Sequence, residues 1–112
     1  MSGVAAFDPG WLRHRVTLES AAGAPDGAGG AAITWDTVAT LWSRVDPVSA
    51  GERIVAGHLS GVVTHQLVFR WRDDIAGGMR VRFRGRTFRL LAVHDPDETR
   101  RYVVARASEE AP

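Results

Sequence analysis

The chain has 112 residues, 45% of them hydrophobic and 24% charged, with a formal net charge of +1, which fits one small globular domain with a modest core. It has no cysteine, so disulfides and thiolate metal sites are excluded, and no stretch approaches the roughly 20 apolar residues of a membrane-spanning helix. All 14 basic residues are arginine, and they are unevenly spread: residues 70–106 hold ten Arg against five Asp/Glu, whereas residues 1–69 hold four against six.

The opening MSGVAAFDPG (1–10) has neither a basic region nor an apolar run of leader length, so a setting in the cytoplasm of the producing cell and a flexible first segment are expected. LRHRVTLES (12–20) alternates, with Leu12, His14, Val16 and Leu18 on one face and Arg13, Arg15, Thr17 and Glu19 on the other, the pattern of a half-buried strand. The Gly- and Ala-rich segment 21–32 reads as a mobile loop. ITWDTVATLWSRVDP (33–47) is β-branched and aromatic, a strand expected to bulge near Asp36, resume at Val38 and stop at Pro47.

Residues 48–61 differ. Ser49 followed by Glu52 has capping-box spacing, which predicts a short helix in this crossover. Gly51 and Gly57 weaken it by about 1 kcal/mol each relative to Ala. VVTHQLVFRWR (62–72) alternates again, DDIAGG (73–78) turns, and HDPDET (94–99) separates two further strand patterns, the last being RRYVVARA (100–107). Residues 108–112 are expected to fray. The whole is one domain over residues 1–112, all-β and mainly antiparallel: a small barrel or sandwich of about six strands with one short helix in a crossover loop.

The segment MRVRFRGRTFRLLAV (79–93) carries five arginines and no carboxylate. A two-residue Gly85-Arg86 loop would pair Phe83 with Phe88, Val81 with Leu90 and Met79 with Ala92 on an apolar face. Arg82 would then oppose Arg89, a like-charge pair that needs relief. Arg80, Arg82, Arg84, Arg86 and Arg89 form a candidate basic interface face, meeting solvent, an acidic protein surface or a nucleic-acid backbone. Trp and Arg are favoured at interface hot spots, and Trp11 and Trp42 are the aromatic candidates for packing against another chain.

No nucleophile elbow, phosphate loop or zinc-protease motif is present, so no catalytic, cofactor-binding or metal-binding residue is assigned. His14, His58, His65 and His94 lie in separate elements, and His14 and His65 fall on apolar strand faces as packed, hydrogen-bonded residues. Asp95, Asp97 and Glu98 lack the calcium-loop pattern and read as a turn.

In order, the segments LRHRVTLES, TWDTVATLWSRVDP, VTHQLVFRWRDDI, GGMRVRFRGRTFRLLAV and DPDE, with the set Thr64-His65, Arg70, Gly78-Met79-Arg80, Gly85-Arg86 and Phe88, resemble the head–tail joining (head-closure, or stopper) proteins of tailed phages, from about Leu12 to Arg106. The all-arginine, Ala-rich character fits a gene transfer agent version. The resemblance implies a β-barrel that forms a six- or twelvefold homo-oligomeric ring in the neck of a virion or virion-like particle. Its partners would be a portal-side adaptor, a tail terminator or tail tube protein, and packaged double-stranded DNA passing through the channel, with no membrane. The family's channel loop corresponds by position to Val48–Gly61, making Ser49, Gly51, Glu52, Arg53, Ile54, Gly57 and His58 candidate gate residues. The rival reading is a free-standing nucleic-acid-binding small β-barrel using the Arg80–Arg89 face; against it, Phe83 and Phe88 point away from the arginines, whereas stacking readers need exposed aromatics.

Overall fold

The computed structural model of the chain describes residues 11–25, 31–49, 51–57 and 59–111. Among these are eight strands: β1 (His14–Pro25), β2 (Ala31–Pro47), β3 (Arg53–Ala56), β4 (Leu59–Val62), β5 (His65–Arg70), β6 (Arg80–Phe83), β7 (Arg86–His94) and β8 (Tyr102–Glu110). Six close into a barrel in the order β1-β2-β5-β8-β7-β6, every pairing antiparallel, while β3 and β4 form a separate two-stranded sheet. The all-β barrel expected from the alternating segments is the fold observed. No helix among the described residues is long and apolar enough to cross a membrane.

The period-2 pattern decides what is inside. Val16 and Leu18 of β1, Leu67 and Phe69 of β5, Val81 and Phe83 of β6, Phe88 and Leu90 of β7, and Val103, Ala105 and Ala107 of β8 meet in one core, closed at the side by Ile75 and Met79. Phe69 and Phe88 are completely buried, each contributing about 2–3 kcal/mol by removal from water. The runs Leu67–Phe69 and Tyr102–Ala105 are buried without alternation because a second cluster covers the outside of β5 and β8: Leu12 packs there with Val68, Tyr102 and Val104. Leu12 therefore leaves the barrel-facing row that alternation assigned to it and caps the outer face instead.

Two bulges shape the barrel. Leu18 lies opposite Ala39 and Glu19 opposite Thr37, so Val38 is the extra residue, close to the break expected near Asp36. In β7, Leu90 lies opposite Ala107 and Ala92 opposite Arg106, leaving Leu91 as the extra residue. Such an insertion locally interrupts the ladder and re-aims its side chain. Leu91 is buried against the β3–β4 hairpin: a Cβ on Gly61 would lie 3.2 Å from its Cδ1.

The short helix expected after Ser49 is replaced by that hairpin. Arg53 pairs with Val62 and Ala56 with Leu59, and Gly57 takes φ = 60° in the turn, a conformation glycine enters at little cost. The β-branched Ile54 and Val55 and the two glycines that weakened the helix favour the strand alternative. A second departure is the register of the β6–β7 hairpin. Its turn is Arg84-Gly85, with φ = 51° and 75°, a type I′-like pair rather than a Gly85-Arg86 turn. Phe83 lies opposite Arg86, Val81 opposite Phe88, and Arg80 opposite Arg89. The apolar face survives because each strand moves by whole pairs, and the opposed arginines are 80 and 89, not 82 and 89.

Where the sequence suggested a loop at 21–32, strand pairing continues outward to Pro25 opposite Ala31; residues 26–30 lie outside the described residues, as do residues 1–10. β8 likewise runs through the segment expected to fray, with Glu110 opposite Thr87.

Candidate functional site: a divided arginine surface

The five arginines of 79–93 do not share one fate. Arg80 donates from Nε to Glu19 Oε1 at 2.5 Å, across the β1–β6 seam. Its guanidinium carbon lies 4.3 Å from the ring centre of Trp35, and that of Arg89 lies 5.2 Å from the same ring. The directly opposed Arg80 and Arg89 are thus bridged by an indole face, which attracts cations. Arg89 also approaches Glu110 at 3.6 Å, while its Nε is buried without a partner among the described residues. The carboxylates absent from 79–93 arrive from β1 and β8.

Arg86, shifted onto the barrel-facing side by the register, builds a network at one barrel end. It donates from Nε and Nη2 to both oxygens of Glu109, at 2.8 and 2.9 Å, the bidentate geometry that makes Arg–carboxylate pairs strong. A second bond runs from Nη2 to His65 Nε2 at 3.2 Å. Since a guanidinium only donates, Nε2 accepts and the imidazole proton sits on Nδ1, which donates to Thr64 Oγ1 at 2.9 Å. The Glu109 amide donates to the same hydroxyl at 2.8 Å. The His65 ring stands edge-on to Phe88, 4.8 Å between centres. Burial, then the Arg86 charge, lowers the His65 pKa, with Glu109 opposing. The Glu109 pKa is lowered, first by its bond from Arg86.

Arg82 and Arg84 are exposed. Arg84 lies over the Phe83 ring at 5.0 Å, and neither makes an ion pair among the described residues. Across the β1–β6 seam, Thr17 faces Arg82, and two residues back Arg15 stacks on Trp42 at 5.3 Å. The outward basic surface is therefore Arg82, Arg84 and Arg15. Arg15 was missed because it lies 67 positions from Arg82 in sequence; its outward-facing place in β1 was the available signal.

Of the aromatic candidates, Trp42 is 52% exposed. It lines a groove of about 300 Å³ with Thr40, Leu41, Phe69, Arg70, Trp71 and Arg72, where β2 and β5 part. Trp11 is half-buried beneath Arg44, 4.9 Å from its guanidinium carbon.

The candidate gate residues sit on and before the β3–β4 hairpin, which lies against β7 and β8. Glu52 pairs with Arg106, and its carbonyl accepts from the Val63 amide at 2.8 Å. Arg53 is exposed, Ile54 half-buried and Val55 72% exposed. Ser49 and Gly51 are exposed on the approach, and His58 lies outside the described residues.

His14 packs on Phe83 at 4.8 Å and His94 is exposed; among the described residues no three metal-ligating side chains converge. The acidic turn closes on itself. Asp97 accepts from Thr99 Oγ1 at 2.5 Å and from Arg101 at 3.0 Å, which hold its carboxyl down at about 2, and Asp95 accepts from the Arg100 amide at 2.7 Å.

The family model described as phage head completion protein matches residues 7–110. No curated protein matches the chain. Among solved structures, it is similar to a chain in the virion of a native gene transfer agent particle, at 24% identity and a TM-score of 0.67, covering 89% of this chain and 96% of that one. It is also similar to protein SF1141 from Shigella flexneri 2a, at 24% identity and a TM-score of 0.66, covering 94% and 98%. At that identity the two likenesses establish the barrel fold.

Proposed function

The chain belongs to the phage head completion protein family, and from that premise we propose that this head structural protein works as a ring-forming connector in the neck of a phage-like particle. In this reading six or twelve copies surround the channel through which double-stranded DNA passes. One side of the ring meets a portal-side adaptor and the other a tail terminator or tail tube protein. The observation that carries the reading is the family match over residues 7–110. A barrel with an interior filled by side chains offers function only through its surface and projections.

The β3–β4 hairpin is the element we assign to the channel. A two-stranded hairpin is marginal alone, and this one is held to the barrel by Leu91, the Glu52–Arg106 pair and few other contacts. Few contacts make an element easy to release, which suits Ser49, Gly51, Glu52, Arg53, Ile54 and Gly57 to a closure that opens for DNA.

Arg82, Arg84 and Arg15 then meet an acidic surface of a neighbouring protein. The nucleic-acid-binding alternative is weakened because Arg80, Arg86 and Arg89 already hold Glu19, Glu109 and Glu110.

Particles from a strain lacking this chain decide the matter by electron microscopy. DNA-filled heads without tails, or heads that lose their DNA, are expected. Normal, infective or DNA-transferring particles would refute the connector.

A further inference from the structure

β1 and β2 run further than the barrel uses them. β6 pairs with β1 only from Thr17 to Glu19, and β5 pairs with β2 only from Ser43 to Pro47. Beyond those points Ser20–Pro25 and Ala31–Asp36 pair, among the described residues, only with each other, giving a two-stranded arm in a molecule of 53 × 27 × 27 Å. Trp35, seated on Arg80 and Arg89, fixes the direction in which the arm leaves.

Among the described residues the arm has two free edges of different kinds. One is the β1 edge, Ser20–Pro25; the other is the β2 edge, left open by β5 from Ala31 to Trp42. Each presents backbone donors and acceptors that a further strand would satisfy. The β2 edge has few of the features that discourage such pairing: Asp36 is the one charge from Ala31 to Trp42, lysine and proline are absent there, and Ile33 is 61% exposed.

We propose that the β1 edge of one copy's arm pairs antiparallel with the β2 edge of the next copy's arm, so that the arms close into a continuous collar of strands. The occupant of each edge is thus a second copy of this chain. A two-fold β2–β2 dimer would satisfy one edge and leave the other open. Head-to-tail pairing consumes both, and it stops growing only when the ring closes. Copies related by rotation about a ring axis carry their arms in the same sense, which makes a neighbour's β1 antiparallel to β2, as the collar requires. The collar rests on the ring reading above and names the contact that makes the ring.

The test removes the arm without touching the barrel. Ala21 and Trp35 are paired, so replacing Ala22–Thr34 by Asn-Gly closes β1 and β2 with a two-residue hairpin turn. Circular dichroism and thermal unfolding establish that the truncated chain folds. A second variant, Ile33→Lys with Val38→Lys, keeps the arm and charges its β2 strand. Both are returned to the strain lacking the chain, and the necks of purified particles are imaged beside wild type. Rings of this chain in wild-type necks, lost in both folded variants, are expected. Self-association of the purified chain, followed by sedimentation, should weaken on the order of a hundredfold or more when the eight paired residues Ala22–Pro25 and Ala31–Thr34 are removed. Rings that persist in either variant overturn the collar and leave the connector standing, including the case in which rings persist but tails are lost, where the arm docks on a different protein. Wild-type necks with no ring of this chain overturn both readings.

Discussion

Replacing Arg86 or Glu109 should move the His65 titration in opposite directions. In the folded chain the neutral imidazole is favoured, because burial and the Arg86 charge both act against protonation while Glu109 acts for it. Arg86→Ala removes a lowering influence and the donor to Nε2, so the His65 pKa should rise toward 6.5. Glu109→Gln removes the raising influence and leaves the guanidinium uncompensated, so the pKa should fall further. Because the folded value lies below the unfolded one, the stability His65 contributes is fully present above about pH 6.5 and is lost as pH falls through the folded value. Glu109, also depressed, adds a contribution present above its unfolded value of 4.5 and lost as pH falls below it. The Arg86 and Glu109 side chains are 41% and 33% exposed, so water screens the pair, and losing it should cost about 1 kcal/mol. For a domain of this size that is roughly 5 °C in Tm. Imidazole NMR shifts followed against pH in the wild type and the two variants read the directions, and an Arg86→Ala/Glu109→Ala double-mutant cycle reads the coupling. If both substitutions shift His65 the same way, or the coupling energy is zero, the network does not exist as described.

Three further outcomes follow from the same contacts. Leu91→Ala should release the β3–β4 hairpin before the barrel: amide exchange should accelerate for Arg53–Val62 and stay slow for Leu67–Phe69, whereas uniform acceleration would mean that the hairpin is part of the cooperative unit. Gly85→Ala should destabilise by about 1 kcal/mol in denaturant unfolding, because its φ of +75° is costly for an L side chain even though the added methyl would meet open space. Binding to duplex DNA through this face should have a log–log salt slope no steeper than about −3, from Arg15, Arg82 and Arg84 at ~0.9 each; a slope near about −5.4 would mean that Arg80, Arg86 and Arg89 also leave their carboxylates for phosphate.

What could be read from the sequence was whatever depends on period 2. Val16 with Leu18, Leu67 with Phe69, and Val81 with Phe83 announced their strands and their inward faces, and with them the barrel. The β6–β7 register was harder, because a turn at Arg84-Gly85 and one at Gly85-Arg86 both keep the phenylalanines on the apolar side. What separated them was the fate of Arg86, which gains His65 and Glu109 in the first case, and Glu109 lies on a strand 23 residues away. The Ser49 helix failed for a related reason. Capping-box spacing is a local signal, while the hairpin is stabilised by Leu91, whose outward aim comes from a bulge that composition does not reveal. The arm is a third case: Gly- and Ala-rich strands without alternation resemble loops until their partner is known.

The arginine row ties these points together. A face with five guanidiniums and no acid looks like a surface waiting for a polyanion. Folding instead brings Glu19, Glu109 and Glu110 to it from other strands, and Trp35 from the arm. Three of the five arginines then serve the fold: Arg86 closes the barrel end, and Arg80 and Arg89 clamp the arm by its indole. That division has a physical consequence for assembly. An arm fixed at its base loses less conformational freedom on pairing than a free one, so more of each new hydrogen bond is retained as affinity. Trp35→Ala should accordingly weaken self-association while leaving the barrel folded, because it loosens the arm without altering either of its edges. If association is unchanged by Trp35→Ala yet abolished by removal of the arm, the edges suffice on their own and the clamp belongs to stability alone.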